Sequence, residues 1–207
     1  MEHIGTISIN ISFALYCIYF LPQVIYNQIY RHASRISHTT QFLMILANTL
    51  DLIYGFGFNL QWQYRMVTII TLICLLIQQW QIWRDESSIS WRLHLAVFAT
   101  LIIGMILALV KPLADAALEN IGFASMIAYS VYFLPQIVKN YQQKAADGFS
   151  ISFILLNALA LLCDEVSALS FNWPLPSIIS PAFILAFLVI MIVQSMFYKR
   201  PHPLAHR

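Results

Sequence analysis

Tyr19-Phe20-Leu21-Pro22-Gln23 has a second copy at residues 132–136, and each copy lies inside a long apolar run. Pro135 follows Pro22 by 113 residues, and the same offset relates further polar residues of the two halves. These matched pairs are Ser12 and Ser125, Tyr16 and Tyr129, Asn27 and Asn140, Ser37 and Ser150, and Asp51 and Asp164. An offset that also relates amide and acidic residues is rare by chance, so the pattern predicts a duplicated membrane unit.

Composition points to a lipid bilayer as the solvent of the chain. Of its 207 residues, 60% are hydrophobic and only 10% are charged, whereas soluble domains carry about 25% charged residues. The mean hydropathy of +0.73 agrees. No basic cluster with interleaved aromatics is present, so nucleic acid is not an expected partner. The three scattered cysteines predict neither a disulfide framework nor a thiolate metal site.

Seven apolar segments are long enough to cross a membrane as helices. They cover about residues 7–29, 42–60, 66–83, 93–110, 121–141, 151–171 and 175–197. The repeat assigns the first three and the last three to its two copies, and the fourth becomes a linker that lets both copies run in the same direction. The sequence thus predicts an all-α membrane protein of two parallel three-helix bundles. These are residues 1–85 and 113–207, the latter with a cytoplasmic tail, joined by a linker helix at 86–112.

Lys and Arg are distributed unequally between the two sets of loops. Nine lie at the ends of segments one, three, five and seven or in the chain that follows them, against two in the remaining loops. The nine are Arg31, Arg35, Arg84, Arg92, Lys139, Lys144, Lys199, Arg200 and Arg207, and the two are Arg65 and Lys111. The positive-inside rule therefore predicts a multi-pass protein whose N-terminus is outside or lumenal and whose C-terminus is cytoplasmic. Which membrane holds the chain stays open.

A proline lies inside the first and the fifth segment, at Pro22 and Pro135. Proline removes a backbone hydrogen bond and bends a helix, and the adjacent Gln23 and Gln136 can donate to the carbonyl that is freed. We predict that these four residues form two hinges at which one end of the bundle opens. The alternative is that proline is simply tolerated in these membrane helices.

Two acidic residues lie at matched positions, Asp51 near the middle of the second segment and Asp164 in the sixth. A carboxylate at that depth is costly unless it is paired, hydrated or protonated, so both should face the bundle interior. They are predicted to bind a proton or a cationic group of a solute, with a structural hydrogen bond as the alternative. Glu165 has no acidic counterpart, since Leu52 stands at the matched position, and is either a further functional residue or a helix-end group.

Amide and tyrosine side chains complete the candidate site. Asn48 and Asn157 lie on the second and sixth segments, away from the repeat offset, and could bind a solute or join helices. Tyr16 and Tyr129 are a matched pair that could line a cavity or pack against a neighbour. The tryptophans at predicted helix ends are typical of interfacial anchors: Trp62, Trp83, Trp91 and Trp173. No histidine has ligand spacing with another in a span, so no metal and no cofactor is expected.

The duplicated Leu-Pro-Gln, at residues 21–23 and 134–136 of a 207-residue chain with seven predicted spans, closely resembles the PQ-loop transporters. Their relatives include the SWEET sugar carriers, cystinosin and the lysosomal cationic amino acid exporters. The resemblance covers nearly the whole chain and maps the family's two Pro-Gln pairs onto those two sites. It implies two triple-helix bundles with a solute site between them and alternating access about the proline hinges.

The resemblance leaves the solute open. The acidic stretch at Asp51 is similar to one in the amino acid branch, although Leu50 stands where that branch has glycine. The sugar branch is marked by asparagine on the third and seventh helices, and neither predicted helix carries one. We therefore expect a carrier of a small polar solute, an amino acid of cationic or cystine-like type. Proton coupling is left open, and a passive sugar carrier of the SWEET type is the alternative.

Two further classes of protein are weighed against a carrier. The family's fold is shared with the KDEL receptors, so a ligand-binding sorting receptor is a second alternative, although the short loops offer no large partner surface. An enzyme is not expected, because no protease or zinc motif is present. The expected partners are the solute and the lipid bilayer, with protons as a further partner if transport is proton-coupled. The oligomeric state is not indicated by the sequence.

Overall fold

Helices make up the regular structure of the described chain. The computed structural model describes residues 2–86, 96–97, 99–101, 103–104, 106 and 113–198. Its α-helices are α1 (Glu2–Tyr19), α2 (Leu21–Tyr30), α3 (His38–Gly57), α4 (Trp62–Asp85), α5 (Asp115–Val131), α6 (Leu134–Gln143), α7 (Ile151–Ser170) and α8 (Leu175–Phe197). A short 3-10 turn covers Ala33–Arg35. The described residues contain no strand, which confirms the all-α class.

Five helical stretches are long and apolar enough to cross a membrane. They are His3–Tyr30, Trp62–Asp85, Asp115–Gln143, Ile151–Ser170 and Ser177–Phe197. Helix α3 overlaps the predicted second segment but is not among the five, because polar residues such as Gln41, Asn48 and Thr49 lower its mean hydropathy. The predicted fourth segment lies mostly outside the described residues, so the division into three, one and three helices stays a prediction. The chain is an integral, multi-pass membrane protein.

Each predicted hinge segment consists of two helices rather than one. Helix α1 gives way to α2 at Phe20, and α5 gives way to α6 at residues 132–133. Pro22 and Pro135 occupy the first turns of α2 and α6, where a missing backbone N–H needs no helical partner. The two breaks therefore lie where the sequence placed them.

Both copies of the repeat use the same local structure at their helix ends. Helices α2 and α6 are each followed by a residue in the left-handed region, Arg31 (φ 55°) and Lys144 (φ 50°). Ser37 and Ser150 then cap α3 and α7, and their hydroxyl oxygens accept from the backbone N–H three residues on at 3.4 and 3.1 Å. Because these positions obey the 113-residue offset, the repeat extends to backbone conformation.

The two copies interlock around a shared interior. Helix α1 packs most extensively against α7, and α3 against α5, so the first two spans of each copy contact the other copy. Helix α4 joins α1 to α3, and α8 joins α5 to α7. Gly122 on α5 permits the contact with α3, because a Cβ there would lie 2.5 Å from the Tyr54 ring. The six long helices thus form a ring.

One end of this ring gathers the basic residues and is here called the basic end. It contains residues 31–37, 84–86 and 139–150. The opposite end carries Arg65, whose guanidinium lies 5.3 Å from the centre of the Phe56 ring. Outside the described residues lie Arg92, Lys111, Lys199, Arg200 and Arg207. The grouping of basic residues agrees with the sequence, and the assignment of the basic end to the cytoplasm stays a prediction.

Candidate functional site

A cavity lies between the two copies, on the side of the ring away from the basic end. Helices α1, α3, α4, α5, α7 and α8 all contribute to its wall. The predicted solute-binding residues that line it are Tyr16, Asn48, Asp51, Tyr129, Asn157 and Asp164. Among the described residues no Lys, Arg or His lines the cavity, so its formal charge comes from the two carboxyl groups.

Asp51 is held by the third span of its own copy. The Tyr64 hydroxyl donates to Asp51 Oδ1 at 2.5 Å, and the Thr68 hydroxyl donates to Oδ2 at 3.3 Å. Tyr129, from the first span of the other copy, lies close by. The Thr68 hydroxyl has a single proton, which it also directs to the Tyr64 carbonyl at 3.1 Å, so Tyr64 is the main donor to Asp51.

Asp164 is held across the interface between the copies. The Ser12 hydroxyl of α1 donates to Asp164 Oδ1 at 2.6 Å, and Tyr16 lies close to the same carboxyl group. The residues that match the donors of Asp51 are Ser177 and Pro181, and proline has no side-chain donor. The two acids therefore occupy matched backbone positions with different partners.

The depth expected for the acids is wrong. Each lies six residues before the end of its helix, Asp51 before Gly57 in α3 and Asp164 before Ser170 in α7. They therefore lie in the last third of their helices, towards the opposite end of the ring, and not at the middle. Glu165 is not among the lining residues and is only half-buried, so it lies outside the cavity wall.

The two asparagines lie at different depths of the cavity. Asn48 matches Leu161, and Asn157 matches Met44, and all four residues line the wall. At each of these two depths, one copy therefore contributes an amide side chain and the other copy an apolar side chain. Asn48 also donates to the Met44 carbonyl at 2.9 Å. Because both residues belong to α3, this bond does not join two helices.

Aromatic rings separate the cavity from the basic end. Tyr19 and Tyr132 line the cavity, and Phe153 stacks on Tyr19 with ring centres 5.5 Å apart. Phe153 also stacks on Phe149 at 5.3 Å. Since Phe149 and Phe153 are buried at 4% and 0% exposure, these rings form a dry layer below the cavity.

Beyond this layer, Gln23 and Gln136 each bind the opposite copy. Gln23 Oε1 accepts from the Ser150 N–H at 2.7 Å, and its amide nitrogen donates to the Gly148 carbonyl at 3.1 Å. Gln136 Oε1 accepts from the Ser37 N–H at 2.6 Å, and its amide nitrogen donates to the Arg35 carbonyl at 3.3 Å. We call these contacts the reciprocal clasp. The amides thus cross to the other copy instead of serving the carbonyls freed by proline.

A chain of amides supports each half of the clasp. Gln23 donates to Asn27 at 2.9 Å, Asn27 donates to Gln81 at 3.1 Å, and Gln81 donates to the Val24 carbonyl at 2.9 Å. The second copy repeats the chain with bonds of 2.9, 3.0 and 3.0 Å through Gln136, Asn140, Gln194 and Ile137. Each clasp glutamine is therefore fixed by the third span of its own copy.

An unmatched group of charges adds to the closure at the basic end. Lys139 Nζ donates to the carbonyls of Ser34 and Ile36 at 3.2 and 3.1 Å. Arg35 pairs with buried Asp147 at 3.4 Å. Both contacts join the loop before α3 to the second copy, so in this structure the basic end is closed.

Several of these residues were missed by the sequence analysis. Gln81 and Gln194 obey the 113-residue offset, so the repeat itself could have revealed them. Trp173 was expected to be an interfacial anchor, which is wrong, because it is 6% exposed and lines the cavity. Trp62 and Trp83 are exposed as expected, and Trp91 lies outside the described residues. The described residues hold no group of three metal-ligating side chains.

Comparison with known proteins finds, among others, two curated relatives and one solved structure. Cystinosin of Bos taurus is 33% identical over 60 residues, which are 29% of this chain and 16% of cystinosin. The vacuolar histidine transporter YPQ3 of Saccharomyces cerevisiae is 30% identical over 79 residues, 38% of this chain and 27% of that protein. The chain therefore matches well under half the length of either relative. None of the three is named as an enzyme, in agreement with the expectation.

The solved structure and the family match cover far more of the chain. A eukaryotic SWEET transporter shares the fold with a TM-score of 0.64 over 94% of this chain and 98% of that one, at 14% sequence identity. The family described as PQ loop repeat matches residues 4–64 and 117–177, which are the two copies of the duplicated unit. Since these two matches cover more than half of the sequence and contain both Pro-Gln pairs, the chain belongs to the PQ-loop repeat family.

Proposed function

We propose that the chain is a membrane transporter that carries a small, amine-bearing polar solute, an amino acid, through the central cavity. The observation that carries this proposal is the pair of matched carboxyl groups, Asp51 and Asp164, in a cavity with no basic lining residue among those described. A lone ionised carboxylate within a membrane is expensive, and a solute ammonium group offsets that cost by pairing with it.

Protons compete with the solute for the same carboxyl groups. A carboxyl group that loses hydration inside the membrane gains from either protonation or a cationic partner. Proton movement and amine movement are therefore exclusive at one carboxyl group, which is the arrangement that coupled exchange requires. The proposal accordingly includes coupling of solute movement to a proton gradient.

Alternating access supplies the movement. In the proposed cycle, the conformation with a closed basic end exchanges with one in which the reciprocal clasp of Gln23 and Gln136 is broken. Pro22 and Pro135 lie one residue before these glutamines, so a bend at the prolines directly displaces the clasp. The basic end faces the cytoplasm in this proposal, as the distribution of Lys and Arg predicts.

Uptake into liposomes that contain the purified chain tests the function. Labelled L-lysine and L-histidine should accumulate faster with an imposed pH gradient than without one. Asp51→Asn and Asp164→Asn should lower uptake and remove its dependence on the gradient, whereas Asp115→Asn, at an exposed residue outside the cavity wall, should change neither. Unchanged uptake in both asparagine variants would remove the basis of the proposal.

The same liposomes separate the alternatives. A passive sugar carrier would equilibrate labelled glucose with no response to the gradient and no preference for amines. A sorting receptor of the KDEL-receptor type would bind its ligand without net movement into a sealed vesicle. Either result would replace the proposed function.

A further inference from the structure

A groove on the membrane face of the first copy lies between α2 and α4, close to the basic end. Its walls are apolar side chains that stay largely exposed, among them Ile25, Ile29 and Trp80 at 54%, 64% and 52%. Both helices belong to stretches that are long and apolar enough to cross a membrane, so exposed side chains between them face the hydrocarbon of the bilayer. An acyl chain is the occupant that this environment supplies.

Two arginines lie at the end of the groove that is nearest to the membrane surface. The Arg84 guanidinium lies over the Trp80 ring at 5.2 Å and donates to Gln28, which also lines the groove. Arg31 directly follows α2, and its side chain is 62% exposed. An exposed guanidinium at the depth of the lipid headgroups can donate two parallel hydrogen bonds to a phosphate.

Both arginines share one carboxylate. Asp85 Oδ1 accepts from Arg31 at 3.3 Å and from Arg84 at 2.8 Å. The adjacent Glu86 faces His38 at 3.1 Å. Two guanidinium groups against the carboxylate of Asp85 leave one positive charge in excess, and this charge attracts an anion.

The second copy differs at the matched positions. Phe197 stands where the first copy has Arg84. Lys144 matches Arg31, but its ammonium group lies over the Tyr141 ring at 3.8 Å and is already engaged there. The groove and its excess charge therefore belong to the first copy, which predicts one such site for each chain.

We propose that this groove binds one anionic phospholipid, with an acyl chain between α2 and α4 and the phosphate at Arg31 and Arg84. Basic residues at the membrane surface are common ligands of anionic headgroups. The groove also contains Val24 and Gln81, which are joined at 2.9 Å in the amide chain that fixes Gln23. A bound lipid therefore holds α2 against α4 and stabilises the closed basic end, whichever solute the cavity carries.

Native mass spectrometry of the purified, delipidated full-length chain tests the site. The probes are palmitoyl-oleoyl phosphatidylglycerol and the phosphatidylcholine with the same two acyl chains, which differ in net charge. The wild type should bind one phosphatidylglycerol per chain at least ~10-fold more tightly than phosphatidylcholine. Glycerol phosphate, which offers a phosphate without acyl chains, should not displace the bound lipid.

Two variants and one control locate the headgroup and the acyl chain. Arg31→Asn should weaken phosphatidylglycerol binding by ~5-fold to 10-fold and leave phosphatidylcholine binding unchanged. Asparagine also tolerates the left-handed backbone at this position, where φ is 55°. Trp80→Val, which copies Val193 of the second copy, should weaken binding of both lipids. Lys144→Asn, at the matched position with φ 50°, is the control and should change neither.

Thermal unfolding distinguishes a lost site from a lost fold. Without lipid, Arg31→Asn should unfold near the wild-type midpoint, because only an exposed ion pair is removed. Phosphatidylglycerol should then raise the midpoint of the wild type more than that of Arg31→Asn, since the ligand stabilises the state that binds it. Equal shifts would overturn the proposed role of the headgroup.

Three further outcomes contradict the proposal. Equal affinity of the wild type for the two lipids, or equal losses in Arg31→Asn and Lys144→Asn, would leave only unspecific contact with the bilayer. Displacement of the lipid by glycerol phosphate would assign the arginines to a soluble anion. Dimers that form without lipid and no longer bind it would place a second copy of the chain in the groove.

Discussion

The two copies of the repeat share their backbone structure and differ in the hydrogen-bond donors that contact their aspartate. Asp51 and Asp164 lie at the same position of matched helices, six residues from the helix end. Asp51 receives hydroxyl donors from α4 of its own copy, whereas Asp164 receives Ser12 from the other copy. The repeat thus preserves the fold, and the two acids differ in which helix and which copy supply their hydrogen-bond donors.

At the basic end, by contrast, the side-chain contacts of the two copies match. There the clasp glutamines Gln23 and Gln136 make matched contacts with matched lengths, 2.7 and 2.6 Å to the backbone N–H groups. A gate that must close both copies together is served by equal contacts, whereas a site for one asymmetric solute is served by unequal ones. In the proposed transport cycle, this comparison separates the residues of the proposed gate from those of the proposed binding site.

The largest expected effect distinguishes the two acids. Asp164→Asn should lower lysine uptake into liposomes by ~100-fold, and Asp51→Asn by ~10-fold. The reason is that three hydroxyl groups lie at Asp51, those of Tyr64, Thr68 and Tyr129, and two lie at Asp164, those of Ser12 and Tyr16. Asp164 is therefore the acid with more capacity for an ammonium group. An asparagine at 51 can still accept from Tyr64, which keeps α3 joined to α4.

Removal of the donors sharpens the same comparison. Tyr64→Phe should make the Asp51 site resemble that of Asp164, and Ser12→Ala should deprive Asp164 of its donor. Uptake is measured for Tyr64→Phe and Ser12→Ala, each as a single variant and each combined with Asp51→Asn or Asp164→Asn. A greater loss in Asp51→Asn than in Asp164→Asn would reverse the assignment of the two acids.

The next largest effect compares the clasp glutamines. Gln23→Leu and Gln136→Leu should each lower the free energy of unfolding by about 1–3 kcal/mol, because each strands a backbone N–H and a carbonyl at a buried interface. Since their contacts match, the two losses should agree within about 1 kcal/mol. Unfolding in sodium dodecyl sulfate, followed by circular dichroism, measures both. One large loss and one negligible loss would show that the clasp is not shared equally.

The sequence predicted the features that depend on position along the chain. The offset from Pro22 to Pro135 placed both helix breaks and paired the two acids. It could not predict that Gln23 binds Ser150, because that contact depends on α1 packing against α7 rather than on any local pattern. Trp173 shows the same limit, since a tryptophan at a helix end has the same sequence signal whether its turn faces lipid or folds over a cavity.

A smaller effect concerns the unmatched closure at the basic end. Lys139→Met should lower the free energy of unfolding by about 1 kcal/mol, because two charge-assisted bonds to the carbonyls of Ser34 and Ile36 are lost. Lys144→Met is the control, since that ammonium group lies over the Tyr141 ring at the surface and should contribute less. The same detergent titration measures both variants. Equal losses would show that Lys139 contributes no more to closure than a surface lysine.

The smallest effect concerns His32, which matches Ala145 in the second copy. Burial lowers the pKa of His32 below its ordinary value of 6.5, and its ring nitrogen Nδ1 is hydrogen-bonded to the Tyr26 hydroxyl at 3.0 Å. Because the unfolded chain then binds this proton at a higher pH than the folded chain does, the stability from neutral His32 is present above pH 6.5 and is lost as the pH falls. His32→Ala, which copies the residue of the second copy, should therefore flatten the decline of the unfolding midpoint between about pH 7 and pH 5. His38→Ala is the matched control, because His38 lies at the same end of the ring and faces Glu86 at 3.1 Å. A decline that is unchanged in His32→Ala would assign the pH dependence to other groups, and the two copies would then differ at this position in packing alone.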